Sequence, residues 1–325
     1  MTHSAVVIGL GNIGLGYDYN YDDSSVVLTH AGGFGSHPNF ELAAGVDPDP
    51  SARLRFENKY HKPAYGSTAE LFRHHAPEVV SIAVPTDMHL KMLKDVITHR
   101  PKVILCEKPL AIDPAGGEEI LRLSELHHCP ILVNFIRRFE PGVIELRRRL
   151  ASGELGEIVR GVVWYSKGLL NNGSHFIDLL GHLTGETPRI GSISSKQVIS
   201  ANEVKADFTL SLGKADIHFI STGHDYYVLD EIDLITTCSR IRYEQGGRKI
   251  KCFKSSRSKV FTQYNVLDEA ETAIPTDFDR YQYYVTDALS SYLENGKYFA
   301  SDASTAMMSL RIADAIINQG AGSVR

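Results

Sequence analysis

The sequence predicts an α/β chain in two parts: a doubly wound parallel sheet over 1–130, then an α+β domain over 131–325 with a large, mostly antiparallel open sheet. Three observations predict it. Up to about residue 135, short continuous Val/Ile-rich runs alternate with helix-like stretches, the pattern of parallel strands covered on both faces. A glycine motif directly follows the first of these runs. From about 193 the runs partly alternate in polarity and succeed one another without helices between them, as antiparallel strands do.

The elements follow in order. Strands are expected over 5–9, 40–47, 79–84, 103–106 and 131–135, with helices over 51–60, 68–74, 88–99 and 114–127. In the second part a helix over 145–152 precedes a strand over 157–166 and a helix over 174–184. Strands then read over 193–199, 204–212, 215–222, 231–237 and 239–245. Helices over 277–295 and 301–317 close the chain, with Ser301 and Asp302 as N-caps and Gly296 and Gly320 as stops.

Composition narrows the function classes. The chain has 325 residues, 43% of them hydrophobic, enough for two cores without metal or disulfide staples. A net charge of -5 argues against nucleic-acid binding. No apolar run reaches membrane-spanning length, and the N-terminus lacks a signal-peptide pattern. The four cysteines are scattered without a Cys-x-x-Cys pair, so a cytoplasmic setting is expected. His127-His128-Cys129 is adjacent rather than spaced to converge on zinc, and no metal site is expected. Arg147-Arg148-Arg149, with Glu145 and Glu154 beside it, reads as a solvated helix face.

Gly9-Leu10-Gly11-Asn12-Ile13-Gly14 fits G-x-G-x-x-G after the first strand. Such glycines let a backbone turn tightly and approach a pyrophosphate, which the following helix N-terminus attracts. The motif and its βαβ setting predict a dinucleotide-binding Rossmann domain, with Gly9, Gly11, Asn12, Ile13 and Gly14 at the cofactor. Asp47 ends the second strand, 33 residues after Gly14 where about 20 is usual. An insertion over 17–27, rich in Tyr and Asp (Tyr17, Asp18, Tyr19, Tyr21, Asp22, Asp23), accounts for the excess. It reads equally as a solvated loop or as a flap over the active site. A carboxylate at Asp47 would bind a ribose 2′-hydroxyl and repel a 2′-phosphate, favouring NAD over NADP. Arg53 and Arg55 stand nearby as the opposing signal.

Cys106-Glu107-Lys108-Pro109 ends the fourth strand, where ligands of doubly wound sheets bind. With Gly9–Gly14, Asp47, Pro85-Thr86-Asp87-Met88-His89, Asn134-Phe135-Ile136-Arg137-Arg138-Phe139 and Gly153-Glu154-Leu155-Gly156, it resembles the Gfo/Idh/MocA (glucose–fructose oxidoreductase / inositol dehydrogenase) family over essentially the whole chain. The resemblance implies NAD(P)-dependent hydride transfer to or from the hydroxyl of a sugar or cyclitol. The region around Asp230-Glu231-Ile232-Asp233 is similar to members acting in surface-polysaccharide and amino-sugar pathways. A homodimer or homotetramer through the second domain's sheet is implied too. Pro85, Thr86, His89, Glu107, Lys108 and Arg138 join the cofactor-binding set by this resemblance. Asn134 and Arg138 are contacts to cofactor or substrate, Arg137 if the register is shifted by one, and a plain salt bridge is an equal alternative.

The family's Asp-x-Gly-x-His becomes Asn171-Asn172-Gly173-Ser174-His175 here. The histidine is kept as His175, but Asn171 replaces the aspartate, and a neutral amide stabilises an imidazolium less well. Asp178 and His182 fall at i+3 and i+7 from His175 on one helix face. Asp178 is therefore a second orienting group, and His182 a rival base. The catalytic set is Lys108, His175, Asn171 and Asp178, with His175 accepting a hydroxyl proton and Lys108 orienting that hydroxyl. Two alternatives remain: a catalytically silent NAD-binding or regulatory protein, and an epimerase- or glycosidase-type enzyme without net redox.

Overall fold

The computed structural model describes residues 2–21, 24–200, 202–222 and 227–319. The chain divides into two compact units, 1–139 with 279–310 and 140–278 with 311–325. The expected boundary at 130/131 is therefore corrected. Strand 131–133 pairs in parallel with 104–106 and so completes the first sheet, and a later segment returns to the first unit.

In the first unit, strands β1 (His3–Ile8), β2 (Phe40–Val46), β3 (Ala64–Tyr65), β4 (Val79–Ile82), β5 (Val103–Cys106) and β6 (Ile131–Val133) form a parallel sheet in the order β3-β2-β1-β4-β5-β6. Every residue of β4 and β5 is buried. That two-sided burial is why these strands read as continuous apolar runs rather than alternating ones. Helices α1 (His30–Ser36), α2 (Pro50–Tyr60), α3 (Thr68–His74), α4 (His89–Val96) and α5 (Pro114–His127) lie between the strands. Asp49 and Asp113 cap α2 and α5, each followed by a proline at the first helical position. Strand order reverses between β1 and β4, the switch point where doubly wound sheets open a crevice for ligand.

The first crossover departs from a plain strand–helix–strand unit. After the glycine loop one helical turn, Asn12–Gly16, closes with Gly16 and Tyr17 N–H groups donating to the Gly11 and Asn12 carbonyls. The chain then leaves the helical path and resumes it at α1, which Thr29 caps through the Gly32 N–H. The inserted segment thus splits the crossover helix in two. Asp22 and Asp23 of the expected insertion lie outside the described residues, as does Gly320.

Among the described residues the second unit holds α6 (Pro141–Ala151), α7 (Ser174–Thr184) and nine strands: β7 (Ile158–Tyr165), β8 (Arg189–Ser200), β9 (Glu203–Leu212), β10 (Ala215–Ser221), β11 (Glu231–Thr236), β12 (Ser239–Glu244), β13 (Lys249–Arg257), β14 (Asn265–Leu267) and β15 (Thr272–Ile274). The sheet order is β14-β13-β12-β11-β7-β10-β9-β8, with β15 on β13. Its ladders are antiparallel except β7–β10. Alternate residues of β9 are buried, so one face packs and the other is more open. Helix α7 is buried from Ser174 to Leu183 and sets Phe176 edge-on against Tyr243 of β12. Strand β13 was not expected, because its lysines interrupt the apolar signal. Residues 279–310 bring α8 (Tyr281–Asn295) back to the first unit, and α9 (Ala303–Asn318) follows.

Candidate active site

The glycine loop sits where β1 meets the end of β4. Gly9 has φ +94°, and a Cβ there would lie 2.6 Å from the Ala83 carbonyl oxygen. A Cβ on Gly14 would lie 1.9 Å from the Gly9 carbonyl oxygen. Both positions exclude any side chain. Around Gly11 nothing lies within 4 Å of a built Cβ. The first and third glycines are thus fixed by packing, and the second faces open space, as a pyrophosphate contact requires. Asn12 is exposed and Ile13 half-buried on the same turn.

Asp47 follows β2 beside this loop. Its Oδ2 accepts the Leu10 N–H at 2.7 Å and its Oδ1 the Asp49 N–H at 2.9 Å. Each oxygen retains a lone pair, so the half-buried carboxylate can still accept from ribose hydroxyls. Arg53 donates to the carbonyls of Asp47 and Pro48. The Arg55 guanidinium lies over the Tyr19 ring, 5.8 Å from its centroid.

At the ends of β4 and β5, Pro85 is exposed and Thr86 half-buried. His89 is buried, with Nε2 3.0 Å from the Val84 carbonyl oxygen and Nδ1 3.0 Å from that of Pro109. It bridges the two strand ends through backbone carbonyls. Burial pushes its imidazole below the usual range, against the pull of those carbonyls and of Glu107. The Lys108–Pro109 bond is cis.

Glu107 anchors a buried cluster. Its Oε1 accepts from His30 Nε2 at 2.9 Å and from Asn134 Nδ2 at 2.6 Å, and its Oε2 accepts the Lys108 N–H at 3.1 Å. His30 Nδ1 meets the Ser81 hydroxyl at 2.7 Å, and Asn134 Nδ2 also donates to Gln282 Oε1 at 3.0 Å. His30, Ser81, Asn134 and Gln282 have no exposed surface. Burial alone would raise the Glu107 carboxyl. The His30 hydrogen bond and charge, Lys108 and Asn134 together outweigh it and hold the group below the usual carboxylate range. Arg138, also buried, donates to the Ala300 carbonyl, and Arg137 is buried beside it.

In the second unit, His175, Asp178 and His182 lie on α7 and are all buried. The turn before α7, Leu169–Gly173, is held by Glu203, whose carboxylate accepts the N–H groups of Leu170 and Asn171 at 2.9 Å each. Asn172 donates to Asp230 at 2.8 Å. These carboxylates set the approach of the chain to His175; Glu203 was not singled out from sequence, and Asp230 only within the 230–233 stretch. His30, Ser81 and Gln282 were also missed. The helix-start signal at Thr29 could have pointed to His30.

Residues 4–135 match the family described as "Oxidoreductase family, NAD-binding Rossmann fold", Gfo/Idh/MocA. Over those residues the chain is similar to that family. It is 26% identical to the rhizopine catabolism protein MocA of Rhizobium meliloti over 181 residues, covering 51% of this chain and 56% of that protein. It is 32% identical to inositol 2-dehydrogenase 2 of Mycolicibacterium vanbaalenii over 180 residues, covering 48% and 52%. The chain thus spans about half the length of the curated relatives it matches. The WlbA dehydrogenase of Bordetella pertussis, solved with NADH and UDP-GlcNAcA, superposes with a TM-score of 0.73 at 16% identity over 97% of this chain and 95% of that one. At that identity the likeness concerns the fold. The matched stretch contains the Gly9–Gly14, Asp47, Pro85–His89 and Glu107–Pro109 motifs read from the sequence. No described helix is long and apolar enough to cross a membrane, and among the described residues no cluster of His, Cys, Asp and Glu could hold a metal ion.

Proposed function

We propose that this chain is a Gfo/Idh/MocA-type, NAD-dependent dehydrogenase acting on a hydroxyl of a sugar or cyclitol, including nucleotide-linked and amino sugars. The observation that carries the reading is the glycine loop with open space at Gly11 and the Asp47 carboxylate tied to its Leu10 N–H. These residues fit a dinucleotide: Gly11–Gly14 would take the pyrophosphate and Asp47 the adenosine ribose. Arg53 and Arg55 are already engaged by carbonyls and by Tyr19, which supports NAD over NADP. Pro85, Thr86 and the β5 end would flank the cofactor, and Arg138 is a further contact in this reading.

When bound, the nicotinamide supplies hydride acceptance or donation. The chain's own side chains handle the proton and the geometry. In this reading Lys108 donates to the substrate hydroxyl oxygen and stabilises charge developing there, and His175 Nε2 accepts the hydroxyl proton. Asp178 and Asn171 orient His175. The reading includes a homodimer or homotetramer, which light scattering would test, and a cytoplasmic enzyme.

The first experiment titrates the protein with NAD(H) and NADP(H), following thermal stability, since a ligand specific to the folded state raises it. Stabilisation by NAD(H) above NADP(H) is expected. The protein with NAD⁺ is then given myo-inositol and a panel of UDP-sugars, and NADH formation is followed. Binding without turnover of any polyol, or undiminished turnover in Lys108→Ala, would overturn the reading.

A further inference from the structure

The buried cluster behind Lys108 does more than fill the domain interior. Its chain runs Ser81–His30–Glu107, with Asn134 and Gln282 alongside, and it stops at the Lys108 backbone. Four helices and strands meet in it: His30 begins α1, Ser81 lies in β4, Glu107 follows β5, and Gln282 lies in α8. A carboxylate this deeply enclosed needs donors on both oxygens. Oε1 has His30 and Asn134, and Oε2 has the Lys108 N–H. The Ser81 hydroxyl can donate to His30 Nδ1 or accept from it, so the chain is satisfied whether the ring carries one proton or two. Ser81 is fully buried, so at that end the chain terminates inside the protein.

We propose that His30 is a positioning residue that, with Ser81 and Asn134, fixes the Glu107 carboxylate and through it the backbone that presents Lys108. The proposal rests on the dehydrogenase reading only for its kinetic consequence. His30 Nε2–H directs Oε1, Asn134 confirms that direction, and only with Oε1 so held does Oε2 meet the Lys108 N–H. Besides His30 and Lys108, the titratable groups around Glu107 are His89 of α4, Cys106 and Tyr281 of α8, each coupled to its charge. Losing the His30 donor leaves burial less opposed, so the carboxyl takes up a proton at higher pH and the Lys108 backbone loses its acceptor.

The test uses the full chain labelled with 13C at glutamate side-chain carboxyls. The Glu107 resonance is assigned by its loss in Glu107→Gln. The carboxyl titration is followed in wild type, His30→Ala, His30→Gln and Ser81→Ala. In wild type Glu107 titrates below the usual carboxylate range. His30→Ala is expected to raise its midpoint by at least one pH unit, Ser81→Ala by less. His30→Gln, whose amide nitrogen reaches the place of Nε2, restores most of it. With NAD⁺ and an active polyol, His30→Ala then lowers kcat at least tenfold while the KM for NAD⁺ changes less than threefold. An unmoved Glu107 titration in a folded His30→Ala, or failure of His30→Gln to restore it, overturns the proposal. If His30→Ala does not fold, the Ser81→Ala and His30→Gln titrations decide alone: an unchanged midpoint in Ser81→Ala with an altered one in His30→Gln would equally overturn it. The titration needs neither cofactor nor substrate, so a wrong dehydrogenase reading would leave it intact.

Discussion

Asp47 Oδ2 accepts the Leu10 N–H at 2.7 Å, so the acidic residue ending β2 also holds the glycine loop that follows β1. In the proposed reading one carboxylate thus joins cofactor choice to loop shape. A charge-assisted hydrogen bond contributes about 1.5–3 kcal/mol. Asp47→Ala is therefore expected to weaken NAD binding roughly 10- to 100-fold and to narrow the gap between NAD and NADP. Asp47→Asn keeps one acceptor for Leu10, so it should affect affinity more than stability. Calorimetric titration with both cofactors, beside thermal melts, separates the two effects.

The glycines predict opposite outcomes. Gly14→Ala places a Cβ 1.9 Å from the Gly9 carbonyl oxygen, and backbone cannot yield that far. The variant should be severely destabilised or insoluble. Gly11→Ala meets nothing within 4 Å and should melt within about 0.5 kcal/mol of wild type, as surface changes do. Its methyl would occupy the space offered to the pyrophosphate, so its NAD affinity should fall at least tenfold. A Gly11→Ala variant with unaltered affinity would remove this loop from the binding site.

Glu107 predicts an acid limb of stability. Its carboxyl is depressed in the folded state, chiefly because the His30, Lys108 and Asn134 interactions overcome burial. A depressed acid contributes stability that is fully present above the unfolded value, about 4.3. That contribution is lost as pH falls through the folded value. The stability difference between wild type and Glu107→Gln should therefore be flat from neutral pH down to about 5 and shrink below it. Urea melts at a series of pH values measure it.

Lys59 and Asp18 tie down the described part of the inserted segment. Lys59 Nζ of α2 donates to the carbonyls of Asp18, Tyr19 and Tyr21 at 2.6, 2.9 and 3.2 Å. Asp18 in turn accepts the Leu28 and Thr29 N–H groups and the Thr29 hydroxyl. Lys59→Met keeps the aliphatic stem and removes the donors. It should hasten proteolytic cleavage within 17–28 severalfold while shifting the global melt little, since Asp18 still closes the segment's end. Limited proteolysis with mass mapping reads this out.

The parallel sheet, the glycine loop, Asp47 and the Glu107-Lys108-Pro109 turn were legible because each is a local pattern. Strands buried on both faces read as apolar runs, and a phosphate loop reads as spaced glycines. What escaped was set by distant partners. Helix α1 carries Gly32, Gly33 and Gly35, which lower helix propensity, so it gives no helical signal in the sequence. His30 acquires a role only from Glu107, 77 residues away, and Gln282 only from Asn134, 148 residues away. The domain boundary failed for the same reason, because α8 rejoins the first unit after the whole second sheet.

Helix α1 shows why its glycines are kept, and this gives the last prediction. A Cβ on Gly33 would lie 2.5 Å from Thr286 Oγ1 and 3.1 Å from the Gln282 carbonyl oxygen, both on α8. The helices approach closely enough to bring Gln282 to Asn134, and a methyl would push them apart. Gly33→Ala gains up to about 1 kcal/mol of helix propensity but overpacks the contact at a cost of about 1–3 kcal/mol. Net destabilisation is expected. Thr286→Ala removes the nearer obstacle, and with it the Thr286 hydroxyl bond to the Gln282 carbonyl. The double variant should therefore recover much of the stability lost in Gly33→Ala, a non-additivity of contacting residues of about 0.5–3 kcal/mol. Urea melts of the four proteins in the cycle measure it. Simple additivity would mean that α1 and α8 are not in contact at this pair.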